Sequence, residues 1–414
     1  MPINHFHSKY ATNHTLTVGC KLLTKKMKTT IFLITGILLS IGVKAQNYAD
    51  TVTMKLNEHF KASDFPGFSV AIVSENEVLY ENSFGFANKE SQMDFETTTI
   101  QNLGSVSKTV VGLALTKAIE DGKLTMDTDI NDVLPFQVVN PFFKDTPILI
   151  RHLANHTSSI LDTKHYGKTY LLDENFVENA NIHADFLGFL KSHASMELKE
   201  FLFSILNKEG DWYSKRNFLK AKPGAKKEYS NLNAALTAYI IEIATDVPFE
   251  EYTQKKIFEP LGMLSTSWKI EREDLNMVAT QYFPAGKQVP RYRLITYPDG
   301  GLYSNTADLS NYLKEVIRAY SGNSTYLTLE YAKLMLPGDD DIYRAFWGMG
   351  EESRNIGHGG SDPGIQTDLQ FNADRKIGRI ILTNVNAEDN EILWKQYRGI
   401  HDILAKYENK LIDK

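Results

Sequence analysis

The sequence predicts an α+β fold in which a helical lobe is set between two sheet-forming ends. Three observations carry this. β-rich runs stand near both ends of the chain, at Phe68–Val73 (FSVAIV) and at Thr367–Phe371 and Lys376–Asn384 (KIGRIILTN). The stretch between them, roughly 125–295, shows helical periods at Met196–Asn207 and Asn233–Ala244. Sheet, helices and sheet again is the order of a lobe inserted into a mixed layer.

Taken in order, the chain opens on a segment that stands apart. Residues 1–45 hold six Lys and no Asp or Glu, and Lys25, Lys26 and Lys28 precede the apolar run Ile31–Val43. Basic residues, a short apolar core and Ala45 at its exit are the pattern of a secretory signal peptide beginning at Met27. The run is short for a membrane span, and an uncleaved anchor is the rival reading. Cleavage near Ala45 would release residues 46–414 as a periplasmic or secreted domain with 39 basic and 51 acidic side chains. N-terminal sequencing of the mature protein checks this. The only cysteine, Cys20, goes with the removed segment, which excludes disulfide and thiol chemistry from the remainder. No basic block follows, so nucleic acid is not an expected partner, and no stable membrane span is expected in the mature chain.

The mature chain then reads as a hairpin, with Phe68–Val73 and Val78–Tyr80 joined around Glu75-Asn76. Gly104–Asp121 follows as a helix, its apolar face built from Val106, Val110, Leu113, Ala114 and Ala118, with Gly122 ending it. Residues 160–195 are polar and irregular: a loop over a site, or a surface excursion. After the second strand pair, a helix over Leu393–Tyr407 closes the chain.

The chemistry lies in three short groups. In Ser105-Val106-Ser107-Lys108, residues i and i+3 share one side of a helix, so the Ser105 hydroxyl stands beside the Lys108 ammonium. A serine becomes a nucleophile when a neighbour takes its proton, and burial or nearby cations lower a lysine pKa towards that role. The helix start supplies N–H groups suited to a developing oxyanion. A plain N-cap with a solvated lysine is the competing explanation. The second group is Glu228-Tyr229-Ser230-Asn231, offering a hydroxyl for proton transfer and an amide to hold partners. The Tyr-x-Asn pattern also occurs at Tyr80, Tyr303 and Tyr407, with Tyr303 the serious competitor. The third is Gly357-His358-Gly359-Gly360-Ser361, just before a strand, where glycines admit close approach of a ligand.

In this order the three groups resemble the serine β-lactamase and penicillin-binding superfamily, in the branch of class C β-lactamases, D-alanyl-D-alanine carboxypeptidases, D-aminopeptidases and related esterases. Supporting stretches are Pro66-Gly67-Phe68, Arg151–Ser158 (RHLANHTS), Pro260-Leu261-Gly262-Met263 and Gly300–Ser304 (GGLYS), the last of which assigns Tyr303 to a different family element. The resemblance spans about residues 50–390. It implies a β-lactamase-like fold: an antiparallel sheet flanked by helices, an inserted helical lobe, and the active site between them. It implies Ser105 as acyl-forming nucleophile, Lys108 and Tyr229 as proton-transfer pair, Asn231 orienting lysine and substrate, and His358, Gly360 and Ser361 lining the site. The N–H groups of Ser105 and Ser361 would form the oxyanion hole. No metal or cofactor is expected.

Two departures bear on substrate. His-Gly-Gly stands where many β-lactamases have Lys-Thr-Gly, so a substrate carboxylate would be held less firmly. Ser159-Ile160 stands where relatives have Gly-Leu, so that turn is expected to differ. The expectation is a serine hydrolase acting on a small amide, ester or D-amino-acid peptide. The alternatives are a β-lactamase proper, or a penicillin-binding module that acylates without efficient turnover. His152 and His156 have a helical zinc spacing, but no glutamate follows His152, which favours packing.

Overall fold

The computed structural model describes residues 48–412 apart from residue 340, so the signal-peptide reading lies outside the described residues. Eight strands form one sheet: β1 (Gly67–Ser74), β2 (Val78–Asn88), β3 (Met93–Asp94), β8 (Tyr343–Arg344), β9 (Trp347–Met349), β10 (Asn355–Asp362), β11 (Ile365–Asn372) and β12 (Ile377–Thr383). Their order is β3-β2-β1-β12-β11-β10-β9-β8, and every neighbouring pair is antiparallel. The two ends of the chain thus meet at the centre, where Val70 faces Ile381.

The central strands read as unbroken apolar runs because both faces are covered. Phe68, Val70 and Ile72 of β1 alternate to one side, against Leu393, Ile400 and Leu404 of the closing helix Glu391–Ile412. Ala71 and Val73 alternate to the other, into the main core with Leu313 and Ile317 of helix Thr306–Ser321. The predicted hairpin is present, with β2 running eight residues beyond Tyr80 to Asn88.

Two short ribbons complete the site's frame. β4 (Gln101–Asn102) pairs with β7 (Tyr303–Ser304), and β5 (Tyr170–Leu172) pairs with β6 (Tyr292–Leu294). Helices Leu198–Leu206 and Asn231–Thr245 lie where periodicity predicts them. Residues 160–195 are less irregular than expected. They hold a 3₁₀ turn at Tyr166–Thr169, strand β5 and helix Ala184–Lys191, whose Leu187 and Leu190 are buried.

The expected helix over Gly104–Asp121 is split. Gly104–Val106 form a 3₁₀ turn and the α-helix runs Ser107–Glu120. Side chains on either side of this turn hold backbone N–H groups. Asn102 Oδ1 accepts the Gly104 N–H at 2.8 Å, and Ser107 Oγ accepts that of Leu302 at 3.1 Å. At the far end Gly122 takes φ 68°, the left-handed terminus the sequence indicates. Ser159 also takes a left-handed φ, 69°, so the serine keeps a glycine-like backbone there. Its hydroxyl accepts from Asn140 Nδ2 at 2.7 Å.

Candidate active site

Ser105 sits in the 3₁₀ turn between β10 of the sheet and helix Asn231–Thr245 of the lobe. Lys108, one turn on, is fully buried, which excludes the solvated-lysine reading. Its Nζ donates to Ser105 Oγ at 2.9 Å and to the backbone carbonyl of Asp299. The Tyr229 hydroxyl donates to Ser105 Oγ at 3.0 Å. Tyr303 lies elsewhere, its hydroxyl donating to the Tyr292 carbonyl at 3.3 Å, so of the two competing tyrosines it is Tyr229 that meets the serine.

The charge state of Lys108 differs from expectation. Burial opposes its charge, but Tyr229 and Asp299 beside it outweigh burial and hold its pKa above the ordinary lysine value. Burial likewise pushes the Asp299 carboxyl up to about 8, an effect that the Lys108 ammonium only partly offsets. The lysine also rests on the Asp299 carbonyl oxygen. The Tyr166 hydroxyl donates to Asp299 Oδ1 at 3.0 Å, which brings the 160–195 segment directly beneath the site.

Asn231 opens helix Asn231–Thr245 beside Tyr229. Its Nδ2 donates to Asp162 Oδ2 at 2.9 Å, and its Oδ1 accepts from the Tyr229 hydroxyl at 3.5 Å. Its side-chain contacts are thus with Asp162 and Tyr229. Asp162, which sequence reasoning passed over, organises this corner. Its Oδ2 accepts the Asn231 N–H at 2.8 Å, and its Oδ1 accepts the Ser230 hydroxyl at 2.7 Å and the Leu232 N–H at 3.2 Å. One carboxylate thus caps helix Asn231–Thr245 from another segment, and Ser230, the helix's own N-cap residue, serves as donor. Asp162→Ala is expected to cost about 1–3 kcal/mol of stability, from a cap and charge-assisted hydrogen bonds lost together. Urea unfolding measures it, and an unchanged midpoint would remove Asp162 from this role.

The opposite wall is β10. His358 stands on it with its ring centroid 6.2 Å from that of Tyr229. Its Nδ1 lies 2.6 Å from the Gly359 carbonyl oxygen. Desolvation, with the Lys108 ammonium adding to it, pushes its pKa down to about 4, so the ring is neutral at ordinary pH. Gly360 permits the close approach of β10 to the serine turn. A Cβ there would fall 2.2 Å from both the Leu103 carbonyl oxygen and Thr367 Oγ1. The Ser361 N atom lies 3.2 Å from where a Cβ on Gly104 would sit, beside the Ser105 turn. The Ser361 hydroxyl accepts from Asn386 Nδ2 at 2.9 Å and faces away from this turn's chemistry. A nucleophile flanked by a buried ammonium and a phenol, with backbone N–H groups on either side, can form an ester with an acyl donor and stabilise the oxyanion that precedes it.

His156 lies under this wall. It is fully buried, with its ring centroid 4.5 Å from that of Tyr229, and Nδ1 meets the Asn233 amide at 3.1 Å. Among the described residues no cluster of three or more His, Cys, Asp or Glu side chains is arranged to hold a metal ion.

The sequence model of the Beta-lactamase family matches residues 53–401. The chain belongs to the Beta-lactamase family. Among curated relatives, Protein flp of Staphylococcus aureus (strain N315) is 22% identical over 374 residues, covering 86% of this chain and 69% of that one. The putative penicillin-binding protein PbpX of Bacillus subtilis (strain 168) is 23% identical over 371 residues, covering 87% and 81%. Among solved structures, the octameric penicillin-binding protein homologue from Pyrococcus abyssi superposes with a TM-score of 0.64 at 23% identity, covering 87% of this chain and 77% of that one. The D-alanine carboxypeptidase AmpC from Burkholderia cenocepacia gives 0.62 at 17% identity, covering 87% and 99%. These likenesses show the antiparallel sheet and its helices to be a β-lactamase-like fold.

Proposed function

We propose that this member of the Beta-lactamase family is an exported serine hydrolase acting through an acyl-enzyme at Ser105 on a small ester, amide or D-amino-acid peptide. The observation that carries this is the convergence of Lys108 Nζ and the Tyr229 hydroxyl on Ser105 Oγ, at 2.9 and 3.0 Å. Ser105 Oγ bonds to the substrate carbonyl carbon, and the carbonyl electron pair moves to oxygen, facing the N–H groups of Ser105 and Ser361. With Lys108 held as ammonium, the serine proton passes to the Tyr229 oxygen while the phenolic proton passes to the leaving nitrogen or oxygen. Collapse breaks the bond to that group, and water repeats the steps in reverse order to free the acid. The Lys108 charge lowers the energy of the anionic states throughout.

The neutral His358 bears on substrate. No fixed charge stands on β10 to pair with a substrate carboxylate, and above about pH 4 the ring offers hydrogen bonds only. Uncharged esters should therefore turn over more readily than carboxylate-bearing β-lactams. The expected result is a higher kcat/KM for p-nitrophenyl acetate than for nitrocefin. His358→Lys should raise that for nitrocefin by roughly ten- to a hundredfold, the worth of one charge pair. A wild type that prefers nitrocefin would show that pocket shape, and not charge, sets the choice.

A second reading follows from the relatives named for penicillin binding: Ser105 acylates and the ester persists. A panel of chromogenic esters, D-alanyl peptides and a cephalosporin separates the two. Steady turnover beyond one equivalent supports the hydrolase, and a single stoichiometric burst with every compound supports the binding module.

A further inference from the structure

Between residues 175–182 of the segment beneath the site and the edge of the β10–β11 turn lies a cavity of about 210 Å³. Arg291 lines it, and its Nη1 is closed off from solvent without a hydrogen-bond acceptor. An unanswered guanidinium nitrogen is costly to bury, since Arg is charged at every physiological pH and each N–H that leaves water loses a partner. The neighbouring Asp173 does not answer it: its carboxylate takes the Asn175 N–H at 2.7 Å, and the Arg291 carbonyl takes the Asp173 N–H at 3.1 Å. Four amide side chains, Asn175, Asn179, Gln281 and Gln288, line the same space, and Asn179 Nδ2 donates to Gln288 Oε1 at 2.8 Å. The wall is mixed, with Thr280 among the apolar side chains of Val278 and Val289, both buried, and of Leu275 and Ile182. Val177 on its rim is 80% exposed, so the cavity is reached from solvent.

This space is not the catalytic cleft. Ser105, Lys108, Tyr229 and His358 are absent from its lining. It backs onto the turn after β10, where Gly364 leaves room for Gln281 and Val289: a Cβ on that glycine would meet them at 2.5 and 2.8 Å. Tyr303, the tyrosine that does not reach the serine, closes its inner end.

We infer that the cavity is a binding site for a small organic acid, with the carboxylate on the Arg291 guanidinium and the apolar body against Val278 and Val289. A carboxylate meets the charge of the guanidinium with charge-assisted hydrogen bonds, the amides of Asn175 and Gln281 can bind its second oxygen, and the apolar side chains of the wall suit a ring or short chain. The inference is independent of the hydrolase reading, because no residue of the Ser105 cleft takes part.

Isothermal titration of the full chain with benzoate, and with benzamide as its uncharged counterpart, tests it. The expected result is saturable binding of one benzoate per chain, with benzamide at least tenfold weaker. Arg291→Met should weaken benzoate at least tenfold and Arg291→Lys by less, while Lys108→Met leaves it unchanged. Absence of saturable benzoate binding, or equal binding of benzamide, would overturn the proposal on the wild type alone, whatever the variants do. Binding that survives Arg291→Met but is lost in Lys108→Met would place the acid in the catalytic cleft and overturn it equally.

Discussion

Ser105→Ala is expected to abolish covalent labelling by a serine-reactive phosphonate and to lower ester hydrolysis by roughly 10⁴-fold or more. The size of the effect follows from geometry. Two proton-bearing groups, Lys108 Nζ and the Tyr229 hydroxyl, are spent on one oxygen, and removing it leaves both without a nucleophile to serve. The fold should survive, because the turn is pinned by the backbone and by Asn102, Thr367 and Ser107, with Thr367 Oγ1 donating to the Leu103 carbonyl at 2.7 Å. Mass spectrometry of the labelled protein reads the outcome directly. Label found on another serine in the variant would end the assignment.

Tyr229→Phe is expected to lower kcat by about 10²–10⁴-fold, the range for a group that transfers a proton in the transition state. KM should change little, since the phenol is aimed at the serine. Tyr303→Phe supplies the control: its hydroxyl meets only a carbonyl, so the loss there should stay within a few-fold. If the two variants fall by similar factors, Tyr229 is packing and the proton takes another route.

The meeting of Ser105 with Lys108 and Tyr229 was legible because each sits in a short local pattern: a three-residue helical spacing, and a tyrosine just ahead of an apolar helix. The outline of the sheet was legible too, since doubly covered strands read as apolar runs such as FSVAIV. What escaped is what the fold brings from far away. Lys108 and Asp299 are 191 residues apart, and Asn231 and Asp162 are 69 apart. Nothing in the composition around Asp299 or Asp162 sets either apart from a surface aspartate. The direction of the lysine shift escaped for the same reason. Its burial follows from the helical pattern, while the partners that reverse the effect of burial come from other segments. The 160–195 segment looked irregular because its periodic elements are short, a one-turn 3₁₀ helix and a three-residue strand, yet it delivers Asp162 and Tyr166 to the site.

The contact between Lys108 and the main-chain oxygen of Asp299 has an evolutionary consequence. Every residue type carries that oxygen, so no exchange of side chain at position 299 can delete the acceptor. Only a change in backbone path can move it, and that path is held by the 3₁₀ turn Tyr297–Asp299 and the Gly300-Gly301 pair that follows. The lysine's anchorage is thus inherited with the chain trace, whatever side chain stands at 299. Natural variation at this position should therefore tune the pH at which the site works more readily than it extinguishes activity.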